Sequence, residues 1–298
     1  DVFCKSRSNS IKPPRLEVSI IDFFVKSSNT QCTQMKKLKP KIIGIIPARM
    51  ASTRFPGKPL AKIHGIPMVG HVYFRSKMAK SLDDVYVATC DKEIMDYVHS
   101  IGGKAVMTKD THPDAIDRTA EAVINIEQST GKKIDFAALI QGDEPMLAPE
   151  MIDEMVVPVK KDSSLQVVNL IQKATSEEEF QSPNTVKLSI DVQNYILYLT
   201  REAIPSRAKF KGEIPMWKQL GTMTFKSDAL RTYASLARTP LESIEGVGML
   251  RLLENGMRIK AVPTEYRTHS VDTPQDLAEV EELMKGDVLM KKYIDISK

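Results

Sequence analysis

Ile42-Ile43-Gly44-Ile45-Ile46-Pro47-Ala48-Arg49-Met50-Ala51-Ser52-Thr53-Arg54-Phe55-Pro56-Gly57-Lys58-Pro59-Leu60 is the stretch that decides the fold. The apolar run from Ile42 to Ile46 predicts a buried strand that ends at Pro47. The following dozen residues are small or basic, with Gly57 and three cations at Arg49, Arg54 and Lys58. A strand opening into such a loop predicts a phosphate cradle. Small side chains let backbone N–H groups approach phosphate oxygens, and the cations offset their charge. The loop is not a Walker A motif, because Gly57-Lys58 is followed by Pro59 rather than Ser or Thr. It is not a G-x-G-x-x-G fingerprint either, since Gly57 is the only glycine between Pro47 and Leu60.

Working outward, His64-Gly65 reads as a turn and Ile66 to Lys80 as a helix, with Met68, Val69, Val72 and Met78 at helical spacing. Asp84–Thr89 predicts a second strand, 92–101 a helix stopped by Gly102-Gly103, and 104–107 a third strand. Residues 118–128 return to helix, and 136–140 form a fourth buried strand running into Gln141-Gly142-Asp143-Glu144-Pro145. This alternation predicts an α/β fold with a mostly parallel, helix-covered sheet. The second half changes character. Residues 186–189 and 195–200 flank a turn from Asp191 to Asn194 and predict an antiparallel hairpin. Strands are expected at 220–225 and 258–262, and helices at 240–255, closed by Gly256, and 273–284, with Asp272 or Thr273 as cap and Pro274 in the first turn.

Length and composition exclude several classes. The 298 residues suffice for one large α/β domain or two smaller ones. A net charge of +4, dispersed along the chain, does not argue for nucleic acid. No run approaches the roughly 18 apolar residues a membrane span needs. Cys4, Cys32 and Cys90 are odd in number and unclustered, which argues against a disulfide framework or thiolate metal site and points to a reducing cytoplasm. Residues 1–34 differ from the rest, and we read them as an expression-derived or upstream-translated extension ahead of a native start at Met35. The apolar island Ile20–Val25 within them is too short for a secretory signal.

Two carboxylates stand out. Asp143 follows an apolar strand, at the sheet edge where open parallel sheets bind ligands. Facing a phosphate loop, it is placed to hold Mg²⁺, which takes oxygen ligands and shares them with substrate phosphates. Asp272, in Val-Asp-Thr-Pro-x-Asp-Leu, reads alone as a helix cap; beside the loop and Asp143 it becomes a second metal ligand. The histidines (His64, His71, His99, His112, His269) lack metal spacing, and no nucleophilic triad is suggested.

From about Lys41 to Met284 the chain resembles the 3-deoxy-manno-octulosonate (Kdo) cytidylyltransferases. The resemblance rests on Ile-Pro-Ala-Arg-x-Ala-Ser-Thr-Arg-x-Pro-Gly-Lys-Pro-Leu at 46–60 and Gln-Gly-Asp-Glu-Pro-Met at 141–146. Further matches are Pro-Asn-x-Val-Lys at 183–187, Pro-Leu-Glu-x-Ile-Glu at 240–245 and Val-Asp-Thr-Pro-x-Asp-Leu at 271–277. It implies a Rossmann-like nucleotidyltransferase fold spanning 35–290, with a nucleotide-binding part at about 40–150 and a smaller antiparallel acceptor and dimerisation part at about 160–265. It further implies a homodimer in the cytoplasm that joins CTP to an acid sugar and releases pyrophosphate. Arg49 and Lys58 become catalytic, Ala48, Ser52, Arg54 and Gln141 contact the nucleotide, and Mg²⁺ sits on Asp143 and Asp272.

The acceptor half departs from the family. Where members read His-Leu-Gly-x-Tyr, this chain has Gln219-Leu220-Gly221-Thr222-Met223; where they carry a sugar-binding Glu-Gln pair, it has Gly248-Met249. The loop usually written His-x-Ser-Gly-Thr-Asp/Glu-Arg is His112-Pro113-Asp114-Ala115-Ile116-Asp117-Arg118. Lys187, Arg201, Gln219, Met223 and Met249 are the expected acceptor contacts. The resemblance implies Kdo or a Kdo-like sugar as the acceptor, with a different small acid such as a phosphonate, or a catalytically silent nucleotide-binding homologue, as alternatives. Restoring Tyr at 223 and Glu-Gln at 248–249 is expected to improve use of Kdo.

Overall fold

The run at 42–46 becomes the middle of a sheet. In the computed structural model, which describes residues 39–52 and 54–294, β1 (Ile42–Ala48) lies between β4 (Asp84–Thr89) and β6 (Phe136–Leu139), parallel to both. The strand passes through Pro47 and ends one residue later than expected. β5 (Ala105–Met107) extends the parallel layer beyond β4. On the other side β10 (Trp217–Lys226) runs antiparallel to β6 and to β7 (Val167–Lys173), which pairs in parallel with β11 (Ile259–Pro263). The hairpin β8 (Lys187–Ile190) and β9 (Ile196–Thr200) joins this same sheet through β10. The described strands thus give a mostly parallel α/β layer with an antiparallel extension. The extension at 1–34 lies outside the described residues.

Alternation along β1 builds both faces. Ile42 and Ile46 pack with α1 (Met68–Lys77) and α4 (Pro149–Lys161) in one apolar cluster; Ile43 and Ile45 pack with α3 (Ala115–Thr130), α6 (Ser227–Ser235) and α8 (Met249–Glu254) in another. All four isoleucines are essentially inaccessible to solvent.

Local chemistry corrects several expectations. Ile66-Pro67 is not helical: it forms β3 against β2 (Lys62–Ile63), across His64-Gly65, both with positive φ (46° and 84°), as a two-residue hairpin turn requires. The helix begins only at Met68, after Pro67. The single helix expected at 240–255 is two, α7 (Pro240–Glu245) and α8, because Gly246 takes a left-handed conformation (φ 63°) and closes the first. Besides α2 (Lys92–Ser100) and α9 (Pro274–Leu283), the structure adds α4, β7, α5 (Glu177–Gln181) and α6.

Candidate active site

β1 and β6 point their carboxyl ends to the same edge of the sheet, and the expected donor residues meet there. The loop after β1 folds onto one carbonyl: Ser52 N–H and Gly57 N–H both donate to Met50 O, at 2.9 and 3.0 Å. Met50 N–H in turn donates to Asp91 Oδ2 at the end of β4 (2.7 Å). Lys58 opens a short 3-10 turn, Lys58–Leu60, and its Nζ donates to Asp143 Oδ2 (2.8 Å), Val271 O (2.7 Å) and Asp272 Oδ1 (3.2 Å). Arg54 Nη2 lies 2.9 Å from the same Asp272 oxygen. Thr273, not Asp272, caps α9, in a reciprocal capping box with Asp276, so the Asp272 carboxylate is left for these cations. A backbone bond from Val271 N–H to Asp143 O (2.9 Å) fixes the two acidic segments side by side.

Ala48, Arg49, Ser52, Arg54, Lys58, Gln141, Asp143 and Asp272 together line one cleft of about 330 Å³. Asp143 and Asp272 converge on a single point now taken by the Lys58 ammonium. Among the described residues no third His, Cys, Asp or Glu joins them. This arrangement fits Mg²⁺, which is commonly held by one or two carboxylates and completes its shell with water and substrate phosphates.

Next to this cleft a hollow of about 190 Å³ is lined by Ala48, Arg49, His112, Asp114, Ala115 and Arg118. Here the altered 112–118 loop acquires a structural account. Asp114 occupies the position of the family's Ser and caps α3, its Oδ1 accepting from Ile116 N–H and Asp117 N–H, both at 2.9 Å. Its Oδ2 accepts from the Tyr233 hydroxyl at 3.0 Å. Burial, with the nearby Asp114 charge, raises the Asp117 carboxyl to about 6.

The acceptor side is a cleft of about 530 Å³ that meets the donor cleft at Gln141, which lines both. Gln141 Nε2 donates to Gly221 O at 3.0 Å, and a Cβ on Gly221 would stand 2.4 Å from that nitrogen, so this close approach requires glycine. Gln219, Met223 and Met249 line this cleft. Met223 and Met249 are also buried members of the apolar cluster beneath it.

Lys187 and Arg201 do not line it. Lys187 is fully buried, and its ammonium donates to the carbonyls of Ser182 (2.8 Å), Thr185 (2.9 Å) and Arg201. Arg201 donates to Glu245 O (2.7 Å) and Pro183 O (2.8 Å), while its N–H donates to Glu245 Oε2 (2.8 Å). The expectation of two acceptor cations is corrected: these side chains fasten the wall of the cleft. The Pro-Leu-Glu-x-Ile-Glu motif is likewise architectural. Glu242 takes two hydrogen bonds from buried Arg251 (2.8 and 2.5 Å), and Glu245 holds Thr200 and Arg201.

Cleft residues that sequence reasoning missed include Glu144, Glu179, Lys218, Thr268 and Ser270. Glu144 Oε2 is buried without a hydrogen-bond partner among the described residues, and Oε1 is 3.5 Å from Ser270 Oγ. Burial foremost, then the Asp143 charge, pushes this carboxyl up to about 8. Its signal was its place beside Asp143; Lys218 is the residue before the altered Gln-Leu-Gly-Thr-Met segment.

The cytidylyltransferase family model matches residues 43–259. A 3-deoxy-manno-octulosonate cytidylyltransferase of Geobacter metallireducens is 40% identical over 252 residues, covering 81% of this chain and 97% of the relative. A mitochondrial one of Arabidopsis thaliana is 36% identical, covering 84% and 85%. A solved structure of CMP:2-keto-3-deoxy-manno-octonic acid synthetase complexed with CTP superposes with a TM-score of 0.77, at 32% identity, covering 83% of this chain and 100% of that one. The chain belongs to the cytidylyltransferase family, in the group of 3-deoxy-manno-octulosonate cytidylyltransferases.

Proposed function

We propose that this protein transfers CMP from CTP to an acid sugar, Kdo or a Kdo-like relative, releasing pyrophosphate. The observation that carries the reading is the convergence of the eight donor-side residues in one cleft that opens, at Gln141, onto a second cleft of sugar size. An acceptor hydroxyl oxygen attacks the α-phosphorus, the bond to the bridging oxygen of pyrophosphate breaks, and the hydroxyl proton passes to solvent. Arg49, Arg54 and Lys58 hold the triphosphate and offset the charge that grows on the leaving group. Lys58 reaches both carboxylates in the free protein, so the same ammonium is at hand when phosphate oxygens enter. Asp143 and Asp272 would hold Mg²⁺, which when bound supplies charge neutralisation and polarises phosphate oxygen. Gln141 stands where donor and acceptor meet.

Retention of Arg49, Lys58, Asp143 and Asp272 in one cleft argues against a silent homologue. We propose a cytoplasmic setting; among the described residues no helix is long and apolar enough to cross a membrane. Among the described strands β9 pairs with β8 alone, and its Leu197 is exposed; we assign this edge to the contact of a homodimer. The test is pyrophosphate release with Mg²⁺ and each of four nucleoside triphosphates against a panel of acids. Turnover is expected with CTP and Kdo. Turnover only with a phosphonate would replace the acceptor, and no turnover with any acid, together with no Mg²⁺-dependent CTP binding, would refute the enzyme.

A further inference from the structure

Once Lys187 and Arg201 are occupied elsewhere, the acceptor cleft has a charge problem. Four carboxyl side chains line it, Glu144, Glu179, Asp276 and Glu279, and among its lining residues Lys218 is the single Lys or Arg. An acid acceptor adds negative charge beside the Glu179 and Asp276 carboxylates, and a carboxylate entering a partly desolvated cleft requires a cation or several donors. We infer that Lys218 is the residue that binds the acceptor's carboxylate and sets the preference for acids, an assignment that rests on the acid-sugar reading above.

The local structure prepares Lys218 for this task. It lies on β10, opposite Lys187 of β8 and Gln172 of β7. Its side chain is 16% exposed and pairs with Glu179, which is 25% exposed. Glu179 is held from its other side: its Oε2 accepts from Thr175 N–H (2.6 Å) and Thr175 Oγ1 (2.8 Å). The carboxylate is therefore the fixed partner, and the ammonium, on a flexible four-carbon stem with three donors, is the mobile one. It can keep Glu179 and accept a second carboxylate, as a cation between two anions. Glu144, which also lines the cleft, is buried, with no hydrogen-bond partner for its Oε2 among the described residues.

The test compares Kdo with its methyl ester, which keeps every hydroxyl and loses the charge. In the wild type the acid is expected to be preferred in kcat/KM. In K218M that preference should collapse by about 10- to 100-fold, the range of a charged hydrogen bond, mostly through KM for the acid. CTP affinity by calorimetry should stay within twofold, and K218R should recover much of the preference. If K218M does not fold, K218Q is read in the same way. An unchanged acid-to-ester ratio in the folded variant overturns the assignment, as does a ratio lost in R201M but kept in K218M. Failure of the acid-sugar reading shows earlier and separately, as a wild-type enzyme that turns over no acid or prefers the ester.

Discussion

Gly248 allows the reasoning about the acceptor wall to be tested at one carbon atom. It precedes α8 with φ −56° and ψ −29°, helical values that any residue adopts, so G248A carries no backbone strain. The smaller conformational freedom of alanine in the unfolded chain alone would favour the change by about 0.4–1 kcal/mol. The space does not allow it. A Cβ here would lie 2.8 Å from Tyr233 Oη and 3.3 Å from Ile116 Cδ1. The isoleucine methyl can turn away, but Tyr233 is fully buried, donates to Asp114 Oδ2, and has the Arg251 guanidinium 4.0 Å from its ring centre. Overpacking of this kind costs about 1–3 kcal/mol, so G248A should be destabilised by about 1–2 kcal/mol net. Y233F removes the obstructing oxygen and costs about 0.5–1.5 kcal/mol for the lost hydrogen bond. The double variant should then be more stable than the sum of the singles by about 1 kcal/mol or more, measured by urea unfolding of all four proteins. A coupling below about 0.5 kcal/mol would refute the packing argument. The same geometry revises the sequence expectation about acceptor use. Restoring Glu-Gln at 248–249 alone should impair turnover of Kdo, and only the addition of Y233F should reverse the sign.

Other perturbations probe separate parts of the fold. D143N should lower turnover by more than about 100-fold while Tm shifts by only a few degrees, because Lys58 keeps Asp272 and Val271 O; near-normal rates would remove Asp143 from the chemistry. E242Q removes the carboxylate nearest the buried Arg251 guanidinium, which keeps Asp117 at 3.6 Å and Asp114 at 3.8 Å, and should cost about 1–3 kcal/mol in denaturant titrations. Fully buried His71 accepts from Tyr293 Oη at Nδ1 (2.8 Å) and donates from Nε2 to Ile63 O (2.9 Å) as the neutral ring. Burial lowers it from 6.5 to about 4. The unfolded chain then binds the extra proton first as pH falls. Stability from this group is full above pH 6.5 and drops by about 3 kcal/mol on the way down to pH 4. H71Q should flatten that part of the wild-type pH profile, and identical profiles would count against it.

What could be read from the sequence followed the range of the forces involved. The convergence of the donor residues was legible because Arg49 and Asp143 lie within four residues of strand ends and Lys58 closes the loop that leaves β1. A strand's carboxyl end fixes where Arg49, Lys58 and Asp143 go, and chemistry restricts what such residues can do there. Boundaries failed where a single backbone conformation decides: the turn at His64-Gly65 turned Ile66-Pro67 into a strand, and Gly246 cut one helix into two. Lys187 and Arg201 failed for a different reason. A cation in a sequence is an offer of charge, and only the fold shows that three carbonyls have already taken up the Lys187 ammonium. Lys218 carried no motif of its own and emerged only as the cation left in the cleft.

The altered acceptor residues belong together physically. Met223, Met249, Ile116 and Tyr233 are members of one apolar cluster, and Gly248 is the gap that admits the Tyr233 hydroxyl. Replacing polar side chains along such a wall one at a time would strand buried polar groups at about 1–3 kcal/mol each. Replacing them as a set, with Asp114 capping α3 and anchoring Tyr233, turns that wall into packed core and removes the penalty. A polar acceptor is then left with the polar side chains that still line the cleft, among them Lys218, Gln219, Glu179 and Glu144. On this view the acceptor site has not decayed. The cleft keeps polar side chains beside its apolar ones, and the eight donor-side residues keep one cleft of their own.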